Sequence, residues 1–219
     1  MMFRAILAVQ WKWARLVVVA GAIFGFAIPL LAVQGATDAS GDPVTVSQLL
    51  ATIQGVGVFL PVLAAAAGLL LAVSAWAGDH AGRHVYALSL PLPRWQFVLY
   101  RYGAGLALLL APVAGVWLGS LVAVAGAQIP PGLHAYPHMI TLRFLLCTLV
   151  AFSVFFAISS GTQRTAGLIL SAMLAVVVLQ LVFSALKVDV DVLGWIVDRL
   201  FVWPGPLEIY TGHWSLIDV

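Results

Sequence analysis

The stretch Gly78–Arg101, GDHAGRHVYALSLPLPRWQFVLYR, is a short basic island broken by Pro91 and Pro93. On either side lies an apolar run long enough to cross a bilayer: about Leu49–Ala77 before it and about Phe97–Ala127 after it. Within the island, Leu88, Leu90 and Leu92 alternate with Ser89, Pro91 and Pro93. Each proline turns the preceding residue away from helical geometry, so the chain must bend there. Arg94 and Trp95 then restart a helix at the level of lipid headgroups. The expected shape is a rigid knuckle with exposed leucines between two spans. Such leucines fit either a docked partner or an ordinary turn packed on its own bundle.

Outward from this island the chain is almost wholly lipid-compatible. Of its 219 residues 63% are hydrophobic and 8% are charged, against about 25% charged in an ordinary soluble domain. That composition cannot cover a water-facing surface and predicts an all-α integral membrane protein. Helical spans are favoured over a β-barrel because the apolar runs are continuous, whereas barrel strands alternate. Three further spans are expected at about Leu16–Val33, Leu142–Ser159 and Gly167–Leu186, which makes five. The second and third spans are each about 30 residues, or roughly 45 Å at 1.5 Å per residue. They must tilt, kink or project, and Pro61 and Pro112 are the expected kink points.

Arg4, Lys12, Arg15, Arg83, Arg94, Arg101 and Arg164 fall in or beside segments on one side of this topology. Most carboxylates fall on the other side, at Asp38, Asp42, Asp189, Asp191, Asp198, Glu208 and Asp218. The positive-inside rule then predicts a cytoplasmic N-terminus, in a cell (inner or plasma) membrane. Arg143, Lys187 and Arg199 run against this trend. Residues 1–15 mix Arg4, Lys12 and Arg15 with Phe3, Trp11 and Trp13, which predicts a separate interfacial helix ahead of the first span. A plain extension of that span is the simpler alternative. The first span is expected to be retained rather than cleaved as a signal.

The whole of 1–219 reads as one transmembrane domain: the interfacial helix 1–15, the five-span bundle 16–187 with its loop 78–96, and an extracytoplasmic segment 188–219. That last segment is broken by charges, Gly194, Gly205, Pro204 and Pro206. It predicts an interfacial or re-entrant hairpin rather than a span. An even span count would require a sixth helix after Val219.

Few residues carry chemistry. The formal charge of +2 does not suggest nucleic acid, and the lone Cys147 permits no intrachain disulfide. No span holds Asp, Glu or Lys near its middle, which disfavours proton relays, ion-coupled transport and intramembrane proteolysis. No G-x-x-x-x-G-K-[ST] loop is present, so any ATP hydrolysis belongs to another polypeptide. No cofactor, metal or enzymatic activity is predicted. His80 with His84, and His134 with His138, have spacings that admit metal or haem, but a solvated helix end and a loop explain them more simply. Gly21 with Gly25, and Gly115 with Gly119, are small-xxx-small pairs for close helix packing, within the chain or between copies. Gln54 and Gln180 are the candidate path-lining residues, with interhelical bonding as the alternative.

The island also resembles a known family. Tyr86, Leu88, Ser89, Leu90, Pro91, Arg94, Val98, Leu99 and Arg101 are similar to the stretch that follows the second span in ABC-2-type transporter permeases. The basic N-terminus and the broken segment after the fifth span add to the likeness. The family pattern has six spans against the five found here. The resemblance implies a coupling loop that sits in a cleft of a separate P-loop ATPase subunit. Its contact residues would be Arg83, His84, Tyr86, Leu88, Leu90, Pro91 and Arg94. It implies a second permease copy or homologue in the lipid bilayer, and ATP-driven movement of a cargo. The uncharged spans suit a hydrophobic or amphiphilic cargo. The reading from a different class is a non-transporting membrane scaffold or accessory subunit of a larger complex.

Overall fold

The computed structural model describes residues 2–34, 46–81, 93–127, 129, 132–161, 163–186, 191–202, 204–205, 207–212 and 214–218. These fall into two compact units: Met1–Phe156 with His213–Val219, and Ala157–Gly212.

The first unit is built from α1 (Met2–Gln34), α2 (Val46–Gly57), α3 (Phe59–Ala81), α4 (Arg94–Gly126) and most of α5 (Pro137–Ser159). Two-residue strands β1 (His134–Ala135) and β2 (Ile217–Asp218) pair antiparallel, with His134 opposite Asp218. The second unit holds α6 (Gln163–Ala185), α7 (Val192–Phe201) and a 3-10 turn at Glu208–Tyr210. Among the described residues, five helical stretches are long and apolar enough to cross a membrane: α1, Leu50–Gly78 across α2 and α3, α4, α5, and Gly167–Ala185 within α6. The chain is therefore an all-α, multi-pass membrane protein.

The packing of α1 is inside-out relative to a soluble helix. Its buried stripe is Gln10, Ala14, Val18, Gly21, Gly25, Pro29 and Ala32, mostly small residues at helical spacing. Leu16, Ile23, Phe24 and Leu31 project outward. In lipid, outward apolar side chains carry no penalty, and small inward residues let backbones approach. Their partner is α4. A Cβ at Gly21 would lie 3.2 Å from Pro112 Cβ, and one at Gly25 2.9 Å from the Pro112 carbonyl oxygen. A Cβ at Gly115 would collide with the backbone of Ala22, and one at Gly119 with that of Phe26. Contact positions rise together along both helices, so α1 and α4 run parallel. The same logic makes α3 parallel to α5, since Gly68 abuts Thr148–Phe152 and Trp76 meets Phe156. Between α4 and α5 the order reverses, with Tyr102 against Ser153 and Trp117 against His138. Parallel alternate spans and antiparallel consecutive ones are what successive membrane crossings produce.

Two expectations are corrected. Residues 2–15 do not form a helix of their own; they are the first turns of α1. No glycine or proline separates them from the span, so nothing releases the backbone ladder, and Gln10 and Ala14 already belong to the buried stripe. The segment 188–219 is not one piece either. Residues 214–218 belong to the first unit, where Trp214, Leu216 and Ile217 are buried. The backbone N–H of Tyr136 donates to the Leu216 carbonyl at 2.9 Å, and Trp214 packs against Gly57.

The prolines differ in effect. The second span breaks between Gly57 and Phe59. Pro61 cannot donate to the carbonyl of Gly57, four residues earlier, and its ring crowds that carbonyl. Pro112, by contrast, does not divide α4; it fills the space that Gly21 and Gly25 leave open.

Candidate functional site

The helices that bracket the 82–92 segment are α3 and α4. Arg94 is the first residue of α4 and is exposed. The helix starts on the carbonyl of Pro93, which accepts from the N–H groups of Gln96 (3.0 Å) and Phe97 (3.3 Å). Two turns on, Arg101 is only 8% exposed. Its guanidinium carbon lies 4.9 Å from the centroid of the Trp76 ring and 4.7 Å from that of Phe97. A desolvated cation over an aromatic face gains about 2 kcal/mol, and here two faces share one cation. Trp76 comes from the end of α3 and Phe97 from the start of α4, so this clamp joins the two helices that flank residues 82–92.

Other helices lock onto the same point. From α1, Gln10 Nε2 donates to the Arg101 carbonyl at 3.1 Å across a buried contact. From α5, Phe156 meets Trp76 at 5.3 Å between ring centroids. The Tyr102 ring packs against Phe152 and Phe156, and its hydroxyl pairs with Ser153 at 2.7 Å. A core of Ala14, Val18, Leu71, Ala72, Ala75, Leu108 and Leu109 continues below. Among the described residues, the buried Gln10 Oε1 and Trp76 Nε1 have no hydrogen-bond partner. One is an acceptor and one a donor, at a junction four helices share. The exposed Lys12, Arg15 and Arg94 belong to the same end of the unit.

No protein-family model, curated protein or solved structure matches this chain. The placement of its own residues is therefore what bears on function. The loop positions Arg83, His84, Tyr86, Leu88, Leu90 and Pro91 lie outside the described residues. The glycines Gly21, Gly25, Gly115 and Gly119 come together in one seam between α1 and α4 of a single chain. Gln54 sits exposed on α2. Gln180 accepts from the backbone N–H groups of Val192 (3.0 Å) and Leu193 (3.2 Å), so it caps α7 rather than presenting a free amide oxygen.

At the opposite end of the first unit, Trp117 Nε1 donates to His138 Nδ1 at 3.2 Å, and Arg143 lies 5.1 Å from the centroid of the Trp214 ring. Among the described residues, no group of three or more His, Cys, Asp or Glu could hold a metal ion. Gln10 and Trp76 are not among the residues the sequence singles out. Gln10 was findable, as the one polar residue on a helical stripe otherwise made of Ala, Val, Gly and Pro.

Proposed function

We propose that this chain is the membrane subunit of an ABC-2-type transporter, moving a hydrophobic or amphiphilic cargo with energy from a separate P-loop ATPase. The observation that carries the reading is the Arg101 clamp between the helices that flank residues 82–92. It ties the two helices that flank the loop to each other, and Gln10 and Phe156 tie them to α1 and α5. A push on the loop would thus reach four helices at once, which is what a coupling element requires. The gathered basic residues support a cytoplasmic orientation of that end by the positive-inside rule, and an ATPase would dock there. With the α1–α4 glycine seam occupied within the chain, a second permease copy would meet this one on another surface.

The test is extraction of the tagged full chain in mild detergent. A P-loop ATPase should accompany it, and Pro91→Ala or Arg94→Ala should leave the complex assembled while uncoupling ATP hydrolysis from transport. Normal coupling in both variants would overturn the reading. The scaffold alternative draws on α6: among the described residues, none of its apolar window is buried. Cofactor-bearing subunits in place of an ATPase would favour it.

A further inference from the structure

The second unit carries a cleft of about 560 Å³ lined by Trp195, Asp198, Arg199, Val202 and Pro204. The first four follow the spacing i, i+3, i+4, i+7, so they form one stripe along α7 and its end. The opposite stripe, Leu193, Ile196, Val197, Leu200 and Phe201, is entirely apolar. A helix with these two faces suits a membrane surface, with its charges toward the headgroups. Chain length lets it reach such a surface from the end of α6. Only the 186–191 link separates α6, which is long and apolar enough to span, from α7; fully extended it reaches about 25 Å. The end of α7 is closed by its own chain: Leu207 N–H donates to the Leu200 carbonyl at 2.8 Å and Thr211 Oγ1 to that of Phe201 at 3.0 Å. The cleft therefore does not serve to satisfy the helix end.

Its chemistry is specific. Arg199 lies 5.8 Å from the centroid of the Trp195 ring, and Trp195 is 63% exposed. Among the described residues, neither the Arg199 guanidinium nor the Asp198 carboxylate forms an ion pair. Consecutive residues on a helix do not face each other, so these opposite charges remain separately available to a ligand. An anionic headgroup would satisfy Arg199 and be repelled by Asp198. A headgroup with a phosphate and an ammonium matches both.

We propose that this cleft binds the headgroup of a zwitterionic, amine-bearing phospholipid, with phosphate on Arg199 and ammonium on Asp198. The site is independent of any ATPase partner and of the cargo. The experiment places the full chain in nanodiscs of equal phosphatidylethanolamine and phosphatidylglycerol and identifies the lipids it retains by native mass spectrometry. Phosphatidylethanolamine should be retained in preference by about tenfold, the worth of one charge-assisted contact. Asp198→Asn should abolish or reverse that preference, and Arg199→Gln should lower retention of both lipids. Both residues are exposed on α7, and unchanged helicity of the variants checks their folding. Equal or greater retention of phosphatidylglycerol by the unaltered chain, or an unchanged preference in Asp198→Asn, would overturn the proposal.

Discussion

Arg101 shows how a single charge can be both buried and stable at a membrane protein's edge. Taking a guanidinium out of water is costly unless something replaces hydration. Trp76 and Phe97 supply two π faces for it within 5 Å. Arg101→Gln keeps polarity and much of the length but removes the cation. We expect it to lower the stability of the detergent-solubilised chain by about 2 kcal/mol or more, read as a fall in the thermal or denaturant midpoint. Arg101→Lys should recover only part, because an ammonium cannot stack flat on two rings. Equal midpoints for all three proteins would remove the clamp from the account. Arg101 stood out in the sequence as a basic residue of the island, yet its role did not. Its indole partner lies 25 positions earlier, across the loop, and no spacing rule connects the two.

Among the elements, the α1–α4 seam makes the sharpest predictions, because the space at each glycine differs. A side chain at Gly119 or Gly115 would strike backbone, which cannot swing aside; one at Gly25 would lie 2.9 Å from a carbonyl oxygen; one at Gly21 would meet a proline Cβ at 3.2 Å. Alanine substitutions should therefore destabilise in the order Gly119 and Gly115, then Gly25, then Gly21, with the largest losses near 3 kcal/mol. Gly55 has nothing within 4 Å and lies inside α2, so Gly55→Ala should stabilise by about 0.5–1 kcal/mol through helix propensity alone. A set of chemical-denaturation midpoints for the five variants checks the ranking; a flat series would mean that the seam does not hold the helices. The four seam glycines were legible as two small-xxx-small pairs, but not as partners of each other, since pairing depends on which helices neighbour. The spans were legible for a simpler reason, that apolar runs of that length have few alternatives. The first turns of α1 misled because charge and tryptophan content describe where a segment sits, not whether its helix is interrupted.

At the scale of the molecule, α1 and α4 each have 33 residues, or about 50 Å at 1.5 Å per residue, against a hydrocarbon core of about 30 Å. Roughly a dozen residues of each must therefore stand outside it. The parallel packing decides at which end: Gln10 is level with Arg101, and the seam from Gly21 to Phe26 lies deeper along α1. Placing the seam in the hydrocarbon puts the clamp at headgroup depth, where a cation is tolerated, and leaves the starts of both helices projecting on the basic side. Orientation can then be tested without any assumption about cargo or partner. In a Cys147→Ser background, which removes the one native, buried thiol, Ala5→Cys and Gln96→Cys should react with a membrane-impermeant maleimide only from the cytoplasmic face. Ala127→Cys, just past the far end of α4, should react only from outside. If Ala5→Cys and Gln96→Cys label from opposite faces, the parallel arrangement of α1 and α4 is wrong. If both label from outside, the arrangement stands but the basic end faces away from the cytoplasm, and no cytoplasmic ATPase can reach the loop above the clamp.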